Sequence, residues 1–161
     1  MKSIKFVMMT KKDISILYVE DKEEIRKLYI PFIAKKTNNF HVAKNGKDGL
    51  ALFKKHTTDL VISDIRMPLM DGLEMTSKIK EINQESRIII ITAFSQSEYF
   101  TKAIKLGVNG FLVKPVTKDD LMAVIDEQIK IILTNRKAIS EGRKRIQIQK
   151  KLEKLNEELE I

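Results

Sequence analysis

Four short polar stretches carry the chemistry of this chain. Glu20-Asp21 follows an apolar run at 14–19, and Asp64 ends the run 59–63. Thr92 closes the run 87–92, and Lys114-Pro115 follows 109–113. Each polar group stands at the end of an apolar segment. That makes three carboxylates, one hydroxyl and one amine. Brought to one edge, the carboxylates would repel and raise one another's pKa unless a cation balanced them. An all-oxygen donor set suits a hard cation, Mg²⁺ with several retained waters above all. A lysine beside it could pair with an incoming anion. Taken singly, each residue has a plain reading: turn residue, strand end, solvated loop lysine or first-turn acid. The case rests on their conjunction in matching positions.

The elements that must position these groups are legible. Residues 14–19, 39–43, 59–63, 87–92 and 109–113 read as strands, and the first, third and fourth are nearly continuous apolar runs, as in strands covered on both faces. Helical patterns follow at 22–36, 46–56, 72–83 and 97–107, with Asn45 and Asp71 as N-caps, Glu74 completing a capping box and Gly107 as a C-terminal stop. Thr117 with Asp120 starts a fifth helix, and Pro31 is expected to bend the first. Five strands alternating with five helices predict an α/β fold with a doubly wound parallel sheet and right-handed crossovers. Such sheets bind ligands beyond the carboxyl ends of their strands.

The segments "YVED", "VISDIRMPLMDGLE", "IITAF" and "GFLVKP" resemble the signature segments of CheY-like receiver domains of two-component response regulators, over about residues 13–131. The resemblance implies the flavodoxin-like strand order 2-1-3-4-5. It makes Asp64 the phosphoacceptor, fed by a sensor histidine kinase or a phosphotransfer protein. Glu20, Asp21, Asp64 and the backbone carbonyl of Arg66 would hold Mg²⁺, while Thr92 and Lys114 would contact the phosphoryl oxygens. Lys114-Pro115 would be a cis peptide, and Thr92 and Phe111 would form the switch. Such a receiver is not an enzyme beyond promoting its own phosphoryl transfer and slow autodephosphorylation. Its chemistry answers why a buried strand ends on an acid: a nucleophilic carboxylate must be rigid yet reachable from one side. Pro68 would fix the loop, and Asp71 is a cap without chemistry. Three positions depart from the commoner pattern: Glu20 for Asp, Phe111 for Tyr, and Arg66 with Phe94 beside the path of hydrolytic water. Neither a guanidinium nor a phenyl ring helps water attack, so Arg66 and Phe94 are expected to lengthen the phosphoryl lifetime. Arg66 would pair with the phosphoryl group or with an outside acid such as Glu98.

The remaining features set limits. The chain has 161 residues and no cysteine, which excludes disulfides and thiolate metal sites and fits a cytoplasmic protein. No apolar run reaches the ~20 residues of a membrane span. Residues 1–12 read as a flexible leader. His41 reads as a strand or loop residue and His56 as a helix-end dipole partner, and without a glycine-rich phosphate loop an ATPase or flavoprotein reading is poor. From Asp119 the helical pattern continues to the end, about 64 Å if unbroken. Leu121, Ile125, Ile132, Ile139 and Ile146 recur mostly at seven, with Gln128 and Asn135 on the intervening seam, and Leu152, Leu155 and Leu159 follow in a shifted register. Residues 132–161 are therefore expected to form a coiled-coil extension or linker, weakened at Gly142, that makes a homodimer and relays the receiver's state. The net charge of +8 concentrates there: Arg136, Lys137, Arg143, Lys144, Arg145, Lys150 and Lys151 stand against Glu141 in residues 136–151. Without aromatic stackers or a groove-reading motif, this is the solvated face of a coiled coil rather than a nucleic-acid patch. An output domain beyond residue 161 and a self-contained zipper both fit. The rival functions are a non-phosphorylated pseudo-receiver scaffold and a DNA-binding regulator acting through the basic tail.

Overall fold

The computed structural model describes residues 10–93 and 97–160. Strands β1 (Ser15–Val19), β2 (Asn39–Ala43), β3 (Leu60–Ser63), β4 (Arg87–Thr92) and β5 (Gly110–Val113) form one parallel sheet in the order β2-β1-β3-β4-β5. Helices α1 (Glu23–Ala34), α2 (Gly46–Lys55), α3 (Gly72–Ile82), α4 (Ser97–Lys105) and α5 (Lys118–Leu159) alternate with the strands. The expected doubly wound fold and strand order are observed. Every residue of β1 and β3 is buried, which places the continuous apolar runs at the sheet centre.

Each face of the sheet carries its own core. Tyr29 and Ile33 of α1 join Leu121, Ile125, Ile129 and Ile132 of α5 over Ile16, Tyr18, Leu60, Ile62, Ile89 and Ile91. On the other face, Leu50 and Phe53 of α2, Leu73, Met75 and Ile79 of α3 and Ala103 of α4 cover Leu17, Val19, Val61, Ile88 and Ile90. Alternate strand residues go to opposite faces, as the two-residue period of a strand requires.

The caps follow the sequence reading, with one difference. Asn45 accepts from the Asp48 amide at 2.8 Å, Asp71 from the Glu74 amide at 2.7 Å and Thr117 from the Asp120 amide at 3.1 Å. The Glu74 carboxylate, expected to complete a capping box, pairs forward with Lys78 one turn on. Gly107 stops α4 with φ +78°, a left-handed conformation that glycine adopts without steric cost. Helix α1 runs through Pro31. Of the expected leader, residues 1–9 lie outside the described residues. Its last part forms a 3₁₀ turn, Lys11–Asp13, and the Lys12 carbonyl accepts from the Asn38 amide at 3.1 Å.

Helix α5 differs from the expected coiled-coil stripe in its first half. Leu121, Ile125 and Ile132 are buried on the receiver, and so is Gln128. Gln128 accepts from Arg87 Nε at 2.5 Å and donates to the Asn109 carbonyl at 3.4 Å. It therefore belongs to the domain core and not to a free polar seam. Arg136, read as part of the basic tail, turns back to pair with Asp59, and Lys36 holds Asp126 at 2.8 Å. Only beyond this clamp do the apolar residues stand clear: Ile139, Ile146, Ile148, Leu152, Leu155 and Leu159 are all exposed.

His41 and His56 also meet, which the sequence did not suggest. Their rings stack with centroids 3.9 Å apart and planes 14° from parallel. Burial, then the neighbouring His56 and Lys55, lower the His41 pKa from its usual value. A histidine depressed in the folded state stabilises the fold above the unfolded value of ~6.5, and that contribution is lost as pH falls through the folded value. Melting temperature should therefore fall by a few degrees between pH 7.5 and pH 5, and His41→Phe, which stacks without titrating, should reduce that fall. Equal pH slopes for the two proteins would contradict this.

Candidate functional site

The site is built by extending the strands one residue further. The Glu20 amide donates to Ala43 O of β2 at 3.1 Å, and the Asp64 amide to Val19 O of β1 at 3.1 Å. Across the sheet, the Lys114 amide donates to Thr92 O of β4 at 2.8 Å. Glu20, Asp64 and Lys114 are thus fixed by ladder hydrogen bonds just past β1, β3 and β5, at the carboxyl edge of the sheet.

There the side chains converge. One carboxylate oxygen each from Glu20, Asp21 and Asp64 lies within 4.8 Å of the others. Lys114 Nζ sits between two of them, 2.9 Å from Glu20 Oε2 and 3.0 Å from Asp64 Oδ2. Glu20 and Asp64 engage their other oxygens as well: Glu20 Oε1 accepts from the Lys22 amide at 3.1 Å and Asp64 Oδ1 from the Ile65 amide at 2.6 Å. Asp21 Oδ1 is buried with no hydrogen-bond partner. Burial pushes the Glu20 carboxyl up from its usual range despite the lysine. Burial alone would lower Lys114, but its hydrogen bonds to Glu20 and Asp64 prevail and raise it. The lysine is thus held as a cation against three acids, an incomplete balance that a further hard cation would complete.

Several supports have no counterpart in the sequence reading. Arg26 is buried, and its Nη1 donates to the carbonyls of Glu20 at 2.8 Å and Asp21 at 3.1 Å. It shares the inward stripe of α1 with Tyr29 and Ile33, and a charge on an apolar stripe was the available signal. Ser63 Oγ donates to the Asp64 carbonyl at 2.7 Å. Gly72 opens α3 against that same carbonyl, and a Cβ there would lie 2.0 Å from the oxygen. Only a residue without a side chain lets α3 start so close beneath Asp64. Leu69, in the loop that follows Asp64, has φ +67° and is exposed.

The other expected site residues are placed as follows. Thr92 ends β4 and is fully buried. Phe111 lies on β5, edge-on to Phe100 of α4 with centroids 5.0 Å apart. Arg66 stands in the loop after Asp64 with its guanidinium carbon 5.8 Å from the Tyr99 ring centre. Glu98, a suggested partner of Arg66, pairs with Lys102 at 2.9 Å. Phe94 lies outside the described residues. The Lys114-Pro115 bond is cis.

This geometry agrees with what the chain is similar to. Residues 16–126 match the family model of the response regulator receiver domain. A chemotaxis protein CheY of Halobacterium salinarum is 36% identical over 112 residues, covering 70% of this chain and 93% of that protein. The crystal structure of an N-terminal domain from Wolinella succinogenes superposes with TM-score 0.71 at 38% identity, over 76% of this chain and 98% of that one. A CheY of Borrelia burgdorferi, solved in a CheX-CheY-BeF3-Mg+2 complex, superposes with TM-score 0.63 at 27% identity, over 70% of this chain and 86% of that one. The chain belongs to the response regulator receiver family, the signalling modules of two-component systems. No helix among the described residues is long and apolar enough to cross a membrane.

The Lys114 bridge makes a direct prediction. Removing one partner of a largely buried ion pair leaves uncompensated charge. Lys114→Met should destabilise the metal-free protein by about 3 kcal/mol in denaturant unfolding, and millimolar Mg²⁺ should recover much of that loss. A variant as stable as wild type in chelator would contradict the bridge.

Proposed function

We propose that this receiver accepts one phosphoryl group on Asp64 from a phosphohistidine of a sensor kinase or phosphotransfer protein. The observation that carries this reading is the convergence of Glu20, Asp21 and Asp64, two of them held by the Lys114 ammonium, with one Asp21 oxygen buried and unpartnered. That orphaned oxygen and the all-carboxylate donor set fit Mg²⁺, which Glu20, Asp21, Asp64 and the Arg66 carbonyl would hold. When bound, the ion neutralises charge on the phosphoryl oxygens.

The chain's own residues do the rest. An Asp64 carboxylate oxygen attacks phosphorus, forming the O–P bond as the donor's N–P bond breaks. The electron pair leaves with the imidazole nitrogen, which takes up a proton. Lys114 already touches Asp64, so it needs little movement to pair with the incoming phosphoryl oxygens, and the site is preorganised. Thr92, at the end of the neighbouring strand, supplies a hydroxyl to the same group, and its shift is felt by Phe111 on β5. Mass spectrometry with acetyl phosphate and Mg²⁺ should find one added phosphoryl group on wild type and none on Asp64→Asn. Unmodified wild type, or equal labelling of the variant, sinks the proposal and leaves the scaffold reading.

Arg66 and Phe94 set the lifetime in this reading, because neither side chain orients or deprotonates water. Arg66→Asn with Phe94→Glu should shorten phosphoprotein decay about tenfold at constant Mg²⁺. Equal decay rates, with the fold intact, would remove both residues from that role.

The organisation proposed is a receiver over about 13–131 and a helical extension over 132–161 that self-associates and relays the state, in the cytoplasm. The exposed apolar residues beyond Ile132 support it. The clamp of Arg136 on Asp59 argues against a free basic tail at that point.

A further inference from the structure

Past the Arg136 clamp, α5 continues to Leu159 and every apolar side chain on it is exposed. The distribution of those side chains is uneven. Ile139 and Ile146 stand seven apart with Gly142 and Arg143 between them, which makes no continuous seam. Ile148, Leu152, Leu155 and Leu159 are spaced four, three and four, the alternation of a coiled-coil core. In heptad terms Leu152 and Leu159 take a, and Ile148 and Leu155 take d. Lys151 and Glu158 then fall at g, and Gln149 and Asn156 at e.

Charge is divided along the same stretch. Residues 143–151 hold Arg143, Lys144, Arg145, Lys150 and Lys151 with no acid. Residues 152–160 hold Glu153, Glu157, Glu158 and Glu160 against Lys154 alone. Two such helices in parallel register set basic half on basic half and acidic half on acidic half. Their flanking g-to-e contacts would be Lys151 with Asn156, which gains no ion pair. Turned antiparallel, the flanking contacts run g to g and e to e. Lys151 then meets Glu158 at both ends of the seam, and Gln149 meets Asn156. Charges at e and g set the orientation of coiled coils.

We propose that the stripe Ile148, Leu152, Leu155, Leu159 is a docking surface for a second copy of this chain running antiparallel. Ile148 of each copy packs on the other copy's Leu159, and Leu152 on the other's Leu155. The proposal rests on the self-association proposed above and adds its orientation. The two Arg136 clamps then lie about 50 Å apart at 1.5 Å rise per residue, so the receivers sit at opposite ends of the seam without colliding.

The chain has no cysteine, so Ser140→Cys carries a single spin label on an otherwise native protein. The seam is short against a standard interface, so distances are read at about 0.5 mM protein. Antiparallel pairing sets the labels about 40 Å apart, and parallel pairing sets them under about 20 Å apart. In parallel measurements by sedimentation, Lys151→Glu should weaken the dimer about tenfold, and adding Glu158→Lys should restore it. A long distance with restoration supports the proposal. A dimer with a short distance, or one that the second substitution fails to restore, overturns the orientation while leaving the tail dimer in place. A monomer throughout the concentration range overturns both. None of these outcomes bears on phosphoryl transfer to Asp64.

Discussion

Three carboxylates at one sheet edge form an arrangement that opposes folding unless something offsets their charge. Lys114 does so in part, and much of the fold serves to hold it there. The order of the strands puts β1 beside β3, so the residues after them, Glu20 and Asp64, come out next to each other. The cis Lys114-Pro115 bond follows β5, and the Lys114 ammonium reaches across the edge to both acids. Arg26 braces the loop of Glu20 and Asp21 from below. The close start of α3 at Gly72 and the Ser63 hydroxyl fix the carbonyl side of Asp64. Asp64 can turn neither way freely, yet one of its oxygens faces the lysine. That is the balance the proposed role of Asp64 as nucleophile needs, between rigid placement and access.

Much of this was legible from the strand ends. Apolar runs that stop on an acid at the first and third strands, with Thr92 and Lys114 at two others, point to the site because a parallel sheet brings strand ends to one edge; the strand order came from the family resemblance. The caps at Asn45, Asp71 and Thr117 were equally plain, since each side chain bonds an amide only three residues away. What escaped the sequence was contact between distant segments. Gln128 sits at a position that a heptad pattern assigns to a polar seam, and only the packed domain reveals Arg87 and Asn109 around it. The His41–His56 stack joins β2 to the end of α2, and nothing local to either residue points to the other. Arg26 carries a local signal, a charge within an apolar stripe.

Helix α5 joins two different physical regimes. Up to Ile132 its stripe is domain core, and Lys36–Asp126 and Arg136–Asp59 fasten it to α1 and to the start of β3. Beyond that the same helix is solvated, with Ile139 and Ile146 on one side and the stripe Ile148, Leu152, Leu155, Leu159 on the other. A single rigid element therefore begins four residues after Lys114, at the site, and ends far from it. Any shift of β5 or of the α5 start on phosphorylation would be carried along the helix without a joint, apart from the helix-weakening Gly142.

Amide NMR shifts during a Mg²⁺ titration of the unphosphorylated protein test most directly the proposed divalent-cation site of Glu20, Asp21 and Asp64 beside Lys114. Saturable changes confined to Glu20–Asp21, Asp64–Arg66 and Lys114, lost in Asp21→Asn, are expected. Unchanged spectra at millimolar Mg²⁺, or shifts centred elsewhere, would contradict it.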